Sequence, residues 1–153
     1  MSGAALTSVH VLTIDALLGE VVEVGHVPTG FRRVIPVVGG TVTGGAGSGG
    51  PGSGGLEGVV LPGGADWNLE RPDGSVELWA RYEVRLSDGV VVSVTNTALH
   101  PPRPQVPILT TPVFEVPDGG PESLRTGVHV GLLVPRLEER RVHIEVHRVG
   151  VSA

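Results

Sequence analysis

The sequence predicts an all-β fold, either a sandwich or a barrel, with little helix. Its apolar residues, among which Val is the commonest, come in short runs, and 24 Gly and 13 Pro divide these runs from one another. Asp-Gly pairs also stand between runs in which apolar and polar residues alternate. Short β-branched runs between such turn residues are typical of antiparallel sheets. At 153 residues we expect one domain over residues 1–153, large enough to bury its own core.

The predicted strands follow one another along the whole chain. They cover residues 9–15, 20–24, 32–38, 40–43, 56–61, 66–71, 76–86, 90–97, 108–116, 127–134 and 141–149. Asp-Gly turns at 73–74 and 88–89 predict that residues 66–97 form a three-stranded meander. Pro36 predicts a sheet edge or a bulge. Two weak helix candidates remain, "IDALLGE" at 14–20 and one turn within "PRLEER" at 135–140.

The composition excludes several kinds of chemistry. The chain has no Cys, so it forms no disulfide and offers no thiolate nucleophile or metal ligand. It has no Lys, which excludes a Schiff base and the lysine of a phosphate-binding P-loop. A net charge of −5 with scattered Arg residues argues against nucleic-acid binding. No signal peptide and no apolar run of membrane length is present, so we expect a soluble, cytoplasmic protein.

A glycine-rich tract covers residues 44–55, with eight Gly in twelve positions. Gly45, Gly47 and Gly50 match a dinucleotide-binding pattern, but that pattern has meaning only where it opens a helix, and "LEGVVLPGG" follows it. A domain linker is also disfavoured, because only about 43 residues precede the tract. We interpret the tract as a loop inserted in a single fold, since closure cost grows slowly with loop length. A lid over a cavity mouth is the functional alternative.

The clearest strand, residues 76–86, has two different faces. Leu78, Ala80, Tyr82, Val84 and Leu86 alternate with the other set, because neighbouring side chains of a strand point to opposite sides. The first set predicts a packed apolar face. The other set, Glu77, Trp79, Arg81, Glu83 and Arg85, either faces solvent or lines a polar cavity. Trp79 favours the cavity, because a large aromatic among charges often marks a ligand surface.

Asp66 and Asn68 share one face of the preceding strand. A carboxylate inside a barrel has a raised pKa unless a cation pairs with it. Asp66 could then act as a general acid or base, and a pairing with Arg81 would instead orient a carbonyl or enolate oxygen. The alternative is an Asp that caps its own turn.

Histidines supply a further candidate site. His143, Glu145 and His147 alternate on one strand face and could converge on a metal, but the opposite face is apolar, which predicts that they point outward. His26 and His100 lie beside prolines and could sit at a cavity mouth.

Several stretches carry a resemblance to a known family. They are "TGFRRVIPVVGGTVTG", "GVVLPGGADWNLERPDGSVELWARYEVRLSDG", "TTPVFE", "VHVG" and "VHIEVHRV". Over residues 29–148 the chain resembles the domain of unknown function 3237 family, small β-barrel proteins broadly similar to allene oxide cyclase and dirigent barrels. The resemblance implies an antiparallel barrel of about eight strands with room for one small ligand. This chain departs from the family at Trp79, Leu109 and residues 123–125, where polar or differently shaped residues are usual, and the departures suggest an altered pocket.

These observations lead to a functional hypothesis. We expect a cofactor-independent cyclase, isomerase or lyase that acts on an apolar, oxygenated small molecule inside the barrel, without a metal. The predicted catalytic residues are Asp66 and Arg81. The predicted substrate-binding residues are Trp67, Asn68, Trp79, Tyr82, Leu109 and Arg125. Val-rich outer faces favour a homodimer. The alternatives are a non-catalytic barrel that binds a small molecule and a scaffold partner in a biosynthetic pathway.

Overall fold

The computed structural model describes residues 3–48 and 56–152. Strands account for most of this part of the chain. They are β1 (Ala5–Leu18), β2 (Val22–Val27), β3 (Gly30–Gly44), β4 (Gly58–Val60), β5 (Gly64–Glu70), β6 (Val76–Leu86), β7 (Val91–His100), β8 (Ile108–Glu115), β9 (Val128–Arg136) and β10 (Arg141–Ser152). One helical turn, α1 (Glu122–Arg125), joins β8 to β9, and two 3-10 turns cover Ala46–Ser48 and Leu137–Glu139. No helix in the described part is long and apolar enough to cross a membrane.

The sheet closes on itself. The strands β1, β10, β9, β8, β7 and β6 lie side by side, and β6 pairs with both β4 and β5. These two short strands also pair with β3, and β3 pairs back onto β1. The ring therefore has eight positions, because β4 and β5 share one, and β2 pairs with β3 beside the ring. Every pairing is antiparallel, so the prediction of an all-β, antiparallel, barrel-like fold of about eight strands is confirmed.

One helix prediction is wrong. The segment "IDALLGE" continues β1 as far as Leu18 and pairs on both sides, with Ile14 opposite Ile144 of β10 and Val42 of β3. Its apolar residues fit a helical period and a strand period equally well over so short a stretch. Pairing with a strand on each side makes the segment a strand, and Ile14 and Ala16 are accordingly buried at alternate positions. The turn predicted within "PRLEER" is present as the 3-10 turn, and α1 was not predicted.

Pro36 lies where β3 changes its partner. Pairing with β2 ends at Val34, and pairing with β1 begins at Val37. The carbonyl of Pro36 accepts a hydrogen bond from the backbone N–H of Gly19 on this side. A residue without an N–H is tolerated at such a gap, where the regular ladder is interrupted.

The two ends of the barrel differ in how they are filled. One end is packed, and Leu12, Val42, Leu86, Val92 and Val94 are fully buried there. Leu124 of α1 is also buried in this core and plugs the same end. The opposite end, near Leu18 and His100, holds a cavity instead. Stability and ligand space are therefore supplied by different halves of one barrel.

The glycine tract lies largely outside the described residues, but its two ends are placed. Gly45 donates its backbone N–H to Val11, and Leu56 is fully buried after the tract. Both belong to the packed end of the barrel. The two placed ends of the tract therefore lie at the end of the barrel opposite the cavity mouth.

Barrel closure depends on glycine at one position. Gly40 pairs with Ala16 and has φ of +136°, and an added Cβ would collide with the Asp15 carbonyl. We expect Gly40→Ala to lower the free energy of unfolding by at least about 2 kcal/mol, because strain and overlap add. The adjacent Gly39→Ala, whose Cβ would meet only Leu17 at 3.9 Å, should change it by no more than about 0.5 kcal/mol. Urea unfolding measures both, and equal effects would contradict this account of closure.

Candidate functional site

The barrel encloses a cavity of about 260 Å³ at its open end. Inward-facing side chains from eight of the strands contribute to its wall. The apolar part consists of Ala16, Leu18, Ile35, Val37, Val76, Leu78, Ala80, Ile108, Leu133, Pro135, Leu137, Val142 and Ile144. The polar part consists of Arg33, Asp66, Asn68, Tyr82, Asn96, His100 and Thr110. An apolar cavity with a few convergent polar groups is typical of small-molecule sites.

Asp66 lies in a row of paired residues that crosses the cavity wall. The register places Ile35, Asp66, Ala80 and Asn96 opposite one another on β3, β5, β6 and β7. Asp66 and Asn96 therefore flank Ala80, whose side chain is a single methyl group. The small residue in the middle leaves room for a ligand between a carboxyl and an amide.

Hydrogen bonds hold the Asp66 carboxyl in this position. Its Oδ1 accepts the backbone N–H of Trp79 at 3.0 Å, and its Oδ2 lies 3.4 Å from the Nδ2 of Asn68. Burial raises the pKa of Asp66 above its ordinary value, and this effect outweighs the two hydrogen bonds and the positive charges of Arg32 and His100, which lower it. Asp66 thus holds a proton more readily than a carboxyl in water, as a general acid or base requires.

Four buried polar atoms of the cavity wall have no hydrogen-bond partner within residues 3–48 and 56–152. They are Asn68 Oδ1, Tyr82 Oη, Asn96 Oδ1 and Thr110 Oγ1. Burial raises the pKa of the Tyr82 phenol, so the group stays neutral and can donate or accept a hydrogen bond. Since buried polar atoms are nearly always paired in folded proteins, four such atoms around one cavity point to a bound molecule as their partner.

Arg33 and His100 bring two more polar groups to the cavity. The Nη2 atom of Arg33 lies 3.1 Å from Glu70 Oε2, so an acidic neighbour compensates this charge. The Nδ1 atom of His100 lies 2.7 Å from the carbonyl oxygen of Pro101. A carbonyl oxygen only accepts, so Nδ1 carries the hydrogen of this bond, and Nε2 is the ring nitrogen without a partner among the described residues.

The structure brings three of the predicted site residues together. Asp66, Asn68 and Tyr82 all face the cavity. Strand alternation places Tyr82 on the face opposite Trp79 and Arg81, so these two predicted residues do not join it. The prediction did not include Arg33, Asn96 or Thr110 and considered His100 only as a mouth residue. Asn96 follows the buried Val92 and Val94 at the next inward position of β7. A polar residue that interrupts an apolar alternation is the signal that would have identified it.

The other predicted site residues lie away from the cavity. Arg81 and Trp79 are on the outer face of β6, and Trp79 meets Trp67 edge to face at 5.7 Å between ring centroids. Arg81 therefore does not pair with Asp66, because alternation places its side chain outside the barrel. Leu109 is 66% exposed on the outer face of β8. Trp79 and Leu109, where an altered pocket was expected, therefore lie on the outer surface and not on the cavity wall.

Arg125 belongs to α1 at the packed end. It donates to the carbonyl of Pro117 at 2.7 Å and lies 3.2 Å from Glu122. Its role in this position is to hold the connection between β8 and β9, far from Asp66.

The alternating histidines of β10 face outward. The inward set contains Ile144 and Val146, which are buried, while His143 Nδ1 lies 2.9 Å from Asp15 Oδ1 on the outer face of β1. His147 Nε2 is 3.7 Å from Glu145 Oε2 and its ring contacts that of His10. Within the described ranges, no group of three or more such side chains is placed to hold a metal ion.

Fold and site together define a class, a closed antiparallel β-sheet with a ligand-sized cavity at one end. The profile of the DUF3237 family, described as a protein of unknown function, matches residues 6–149, and the chain belongs to this family. The family predicted from the residues is thereby confirmed. The broader similarity to allene oxide cyclase and dirigent barrels stays a prediction.

Relatives and solved structures agree with this assignment. A UPF0311 protein of Rhodopseudomonas palustris is 38% identical over 94 residues, 61% of this chain and 56% of its own length, so the match spans little more than half of that relative. A crystal structure of a conserved protein of unknown function from the same species has a TM-score of 0.80 at 34% identity and covers 95% of this chain and 99% of its own. A β-barrel-like protein of Acinetobacter baumannii has a TM-score of 0.79 at 21% identity, over 95% and 97% of the two chains. An enzyme from Penicillium herquei has a TM-score of 0.67 at 17% identity, over 95% and 96%.

The raised pKa of Asp66 makes stability depend on pH in a specific direction. The folded state binds this proton more tightly than the unfolded state, whose pKa is near 3.8. The resulting stabilisation is complete below that pH and is lost as pH rises through the folded pKa. Asp66→Asn keeps an oxygen for the Trp79 N–H, so we expect it to raise the melting temperature over wild type more at pH 7 than at pH 4.

A second carboxylate provides a control of opposite sign. Hydrogen bonds from Ser75 lower the pKa of Asp73, an exposed turn residue. Its stabilising effect is present above the unfolded pKa and is lost on acidification. Asp73→Asn should therefore lower the melting temperature more at pH 7 than at pH 4. Calorimetry of both variants across this range makes the comparison. The same trend in both would contradict the assignment for Asp66.

Proposed function

We propose that this protein is a cofactor-independent cyclase, isomerase or lyase that acts on an apolar, oxygenated small molecule inside the barrel. The observation that carries the proposal is the Asp66 carboxyl, which is half-buried at the wall of an apolar cavity and has a raised pKa. Such perturbed groups in clefts are candidates for acid–base roles.

Asp66 takes the role of the proton-transferring group. A carboxyl of raised pKa can remove a proton from a carbon next to a carbonyl, or return one, at a pH where both forms are populated. The neutral hydroxyls of Tyr82 and Thr110 can donate hydrogen bonds to an oxygen on which negative charge develops. His100, with Nε2 free to accept, provides a second site for a proton at the cavity mouth.

The cavity walls supply the remaining requirement of such a reaction. Cyclisation and isomerisation gain rate when the substrate is held in a reactive conformer away from water. Apolar side chains surround Asp66, and the small Ala80 beside it leaves space for a ring. The enzyme from Penicillium herquei shares the fold alone, and it supports only the statement that this fold can accommodate catalysis.

A non-catalytic barrel that stores or carries a small molecule is the second candidate. The four unpartnered polar atoms favour it as much as they favour catalysis, because a bound molecule can supply their hydrogen bonds without reacting. The two candidates differ at Asp66, which a carrier needs only as a hydrogen-bonding group. A scaffold role is less favoured, since it gives no reason for an apolar cavity of this size with several polar groups in its wall.

We also propose that the protein forms a homodimer through the outer faces of β7, β8 and β9. Leu99, Leu109 and Val113 are each more than half exposed there, and Leu109 pairs with Leu132 of β9. Exposed apolar patches on neighbouring strands mark interaction surfaces.

Proton exchange provides a test of catalysis that does not require the natural substrate. 2-Tetralone in D₂O exchanges the protons beside its carbonyl, and we expect the protein to accelerate this exchange without an added cofactor. Asp66→Asn should lower the accelerated rate by about 100-fold or more, in the range of general acid–base effects. Because the base must be ionised, the rate should rise as pH passes through the raised pKa of Asp66.

Arg81→Met is the matched control for this experiment, since Arg81 lies on the neighbouring strand but faces outward. It should leave the exchange rate unchanged. Nuclear magnetic resonance of the ketone gives the rates. Equal acceleration by wild type and Asp66→Asn would exclude Asp66 as the base and favour the carrier.

The dimer proposal has its own test. We expect sedimentation equilibrium to give the mass of two chains, and Leu109→Arg to weaken the association by at least about tenfold, because a charge would be buried at the interface. Arg85→Ala, on the outer face of β6, is the control and should leave the association unchanged. Thr95 cannot serve as a control, because it lies on the proposed interface. A monomeric wild type at micromolar concentration would contradict the proposal.

A further inference from the structure

We propose that the cavity is specific for a neutral carbonyl compound that carries free hydroxyl groups. This inference rests on the proposed function, because it names the substrate class of the same cavity. Asn68, Tyr82, Asn96 and Thr110 line this cavity and are each at most 4% exposed, and each carries an oxygen without a protein partner among the described residues. The chemistry of these four atoms determines what the ligand has to provide.

The two amides define the donors that the ligand must bring. The Nδ2 atom of Asn68 is directed to Asp66, which fixes the orientation of this amide and leaves its Oδ1 as the free atom. The buried atom of Asn96 that has no partner is also its amide oxygen. Carbonyl oxygens only accept hydrogen bonds, so the ligand has to present at least two O–H or N–H groups to them.

The two hydroxyls define the acceptor of the ligand. Tyr82 and Thr110 can each donate one hydrogen bond, so the ligand has to present acceptor oxygen, which a carbonyl group provides. Thr110 has space for its hydroxyl because the residue opposite is Gly131, where an added Cβ would collide with Oγ1. The glycine therefore keeps room for a polar group that makes no bond within the described part of the fold.

The charges around the cavity favour a neutral ligand. An anion would need Arg33, whose charge Glu70 already compensates at 3.1 Å. An anion would also be repelled by Asp66 whenever that carboxyl is ionised. A cation would need Asp66 in its ionised form, which burial disfavours. The four buried oxygens of the wall that have no partner, two of amides and two of hydroxyls, are all uncharged.

The register places these groups around one space. Asp66 and Asn96 stand two strands apart, roughly 10 Å between their backbones, with Ala80 between them. Tyr82 is the next inward residue of β6 beyond Ala80, toward the packed end. A ring lying over Ala80 would meet Asp66 and Asn68 at one edge and Asn96 and Thr110 at the other.

Three matched compounds test the inference on the full chain. 3,5-Dihydroxyacetophenone has two free hydroxyls and a carbonyl, 3,5-dimethoxyacetophenone lacks the donors, and 3,5-dihydroxybenzoate replaces the ketone by an anion. We expect the dihydroxy ketone to bind at least about tenfold more tightly than either of the others, as one lost hydrogen bond to a buried group allows. Amide chemical shifts of the protein measure all three dissociation constants.

Two substitutions separate ligand recognition from a structural role. Thr110→Val and Tyr82→Phe keep the shape of the side chain and remove the unpartnered oxygen. Each should weaken binding of 3,5-dihydroxyacetophenone by about tenfold. Each should also leave the melting temperature of the ligand-free protein unchanged or raise it by about 2–4 °C, because a buried oxygen without a partner destabilises the fold. Thr111→Val, one residue further on the outer face of β8, is the control and should not affect binding.

Several results would overturn the inference. They are equal or tighter binding of the dimethoxy or benzoate compound, no binding of any compound, and a melting temperature that falls together with binding in both inner variants. Since this experiment measures equilibrium binding, its failure leaves the proton-exchange test of Asp66 unaffected. Loss of catalysis in that test would equally leave these dissociation constants unchanged.

Discussion

The pairing of β3 with β1 is the constraint on which the other features depend. It closes the sheet, and closure gives every strand of the ring one face directed into the barrel and one face directed outward. Each strand of the ring then makes its backbone hydrogen bonds to the strands on either side of it. Any polar side chain on the inner face must find its partner among other inner side chains or in a bound molecule. The unpartnered atoms of Asn68, Asn96 and Thr110 follow from this geometry.

The division of the barrel into a packed end and an open end explains how such atoms are tolerated. Leu12, Leu86, Val92 and Leu124 fill the packed end, and the buried His129 there lies 2.8 Å from the carbonyl oxygen of Ser123. Burial of this apolar set offsets the cost of polar groups nearer the cavity. Strands such as β1, β6 and β7 thus contribute to the core at one end and to the cavity wall at the other. Ala16 and Ile144, at the boundary, belong to both the core and the cavity wall.

The sequence allowed the fold to be predicted more completely than the site. Asp-Gly turns and period-two alternation identify β5, β6 and β7 and their pairing, because both signals are local. The cavity face of β6 was harder to identify, since Trp79 and Arg81 suggested that the polar face lines a cavity. In this barrel the cavity lies on the apolar face, and its polar groups come one at a time from different strands. Asp66 and Asn68 are identifiable because they stand two positions apart on one strand and so share a face.

The remaining cavity residues depend on long-range register. Arg32 and Arg33 are neighbours of the same type, and nothing local decides which of them faces inward. The pairing of Arg33 with Asn68 settles this, because it fixes the phase of β3 against β5. Thr110 likewise lies beside the equivalent Thr111 in "TTP", and only the apolar Ile108 two residues earlier indicates the inner face. A single sequence carries little information about such long-range register.

The distribution of aromatic residues has a consequence for optical spectroscopy. The chain has two Trp and one Tyr. Trp67 and Trp79 form a pair on the outside, while Tyr82 lies on the cavity floor. Tryptophan emission will therefore report on events at the outer surface and be insensitive to occupancy of the cavity. The ultraviolet absorbance of the single tyrosine will respond to occupancy, so the two signals distinguish inside from outside without a label.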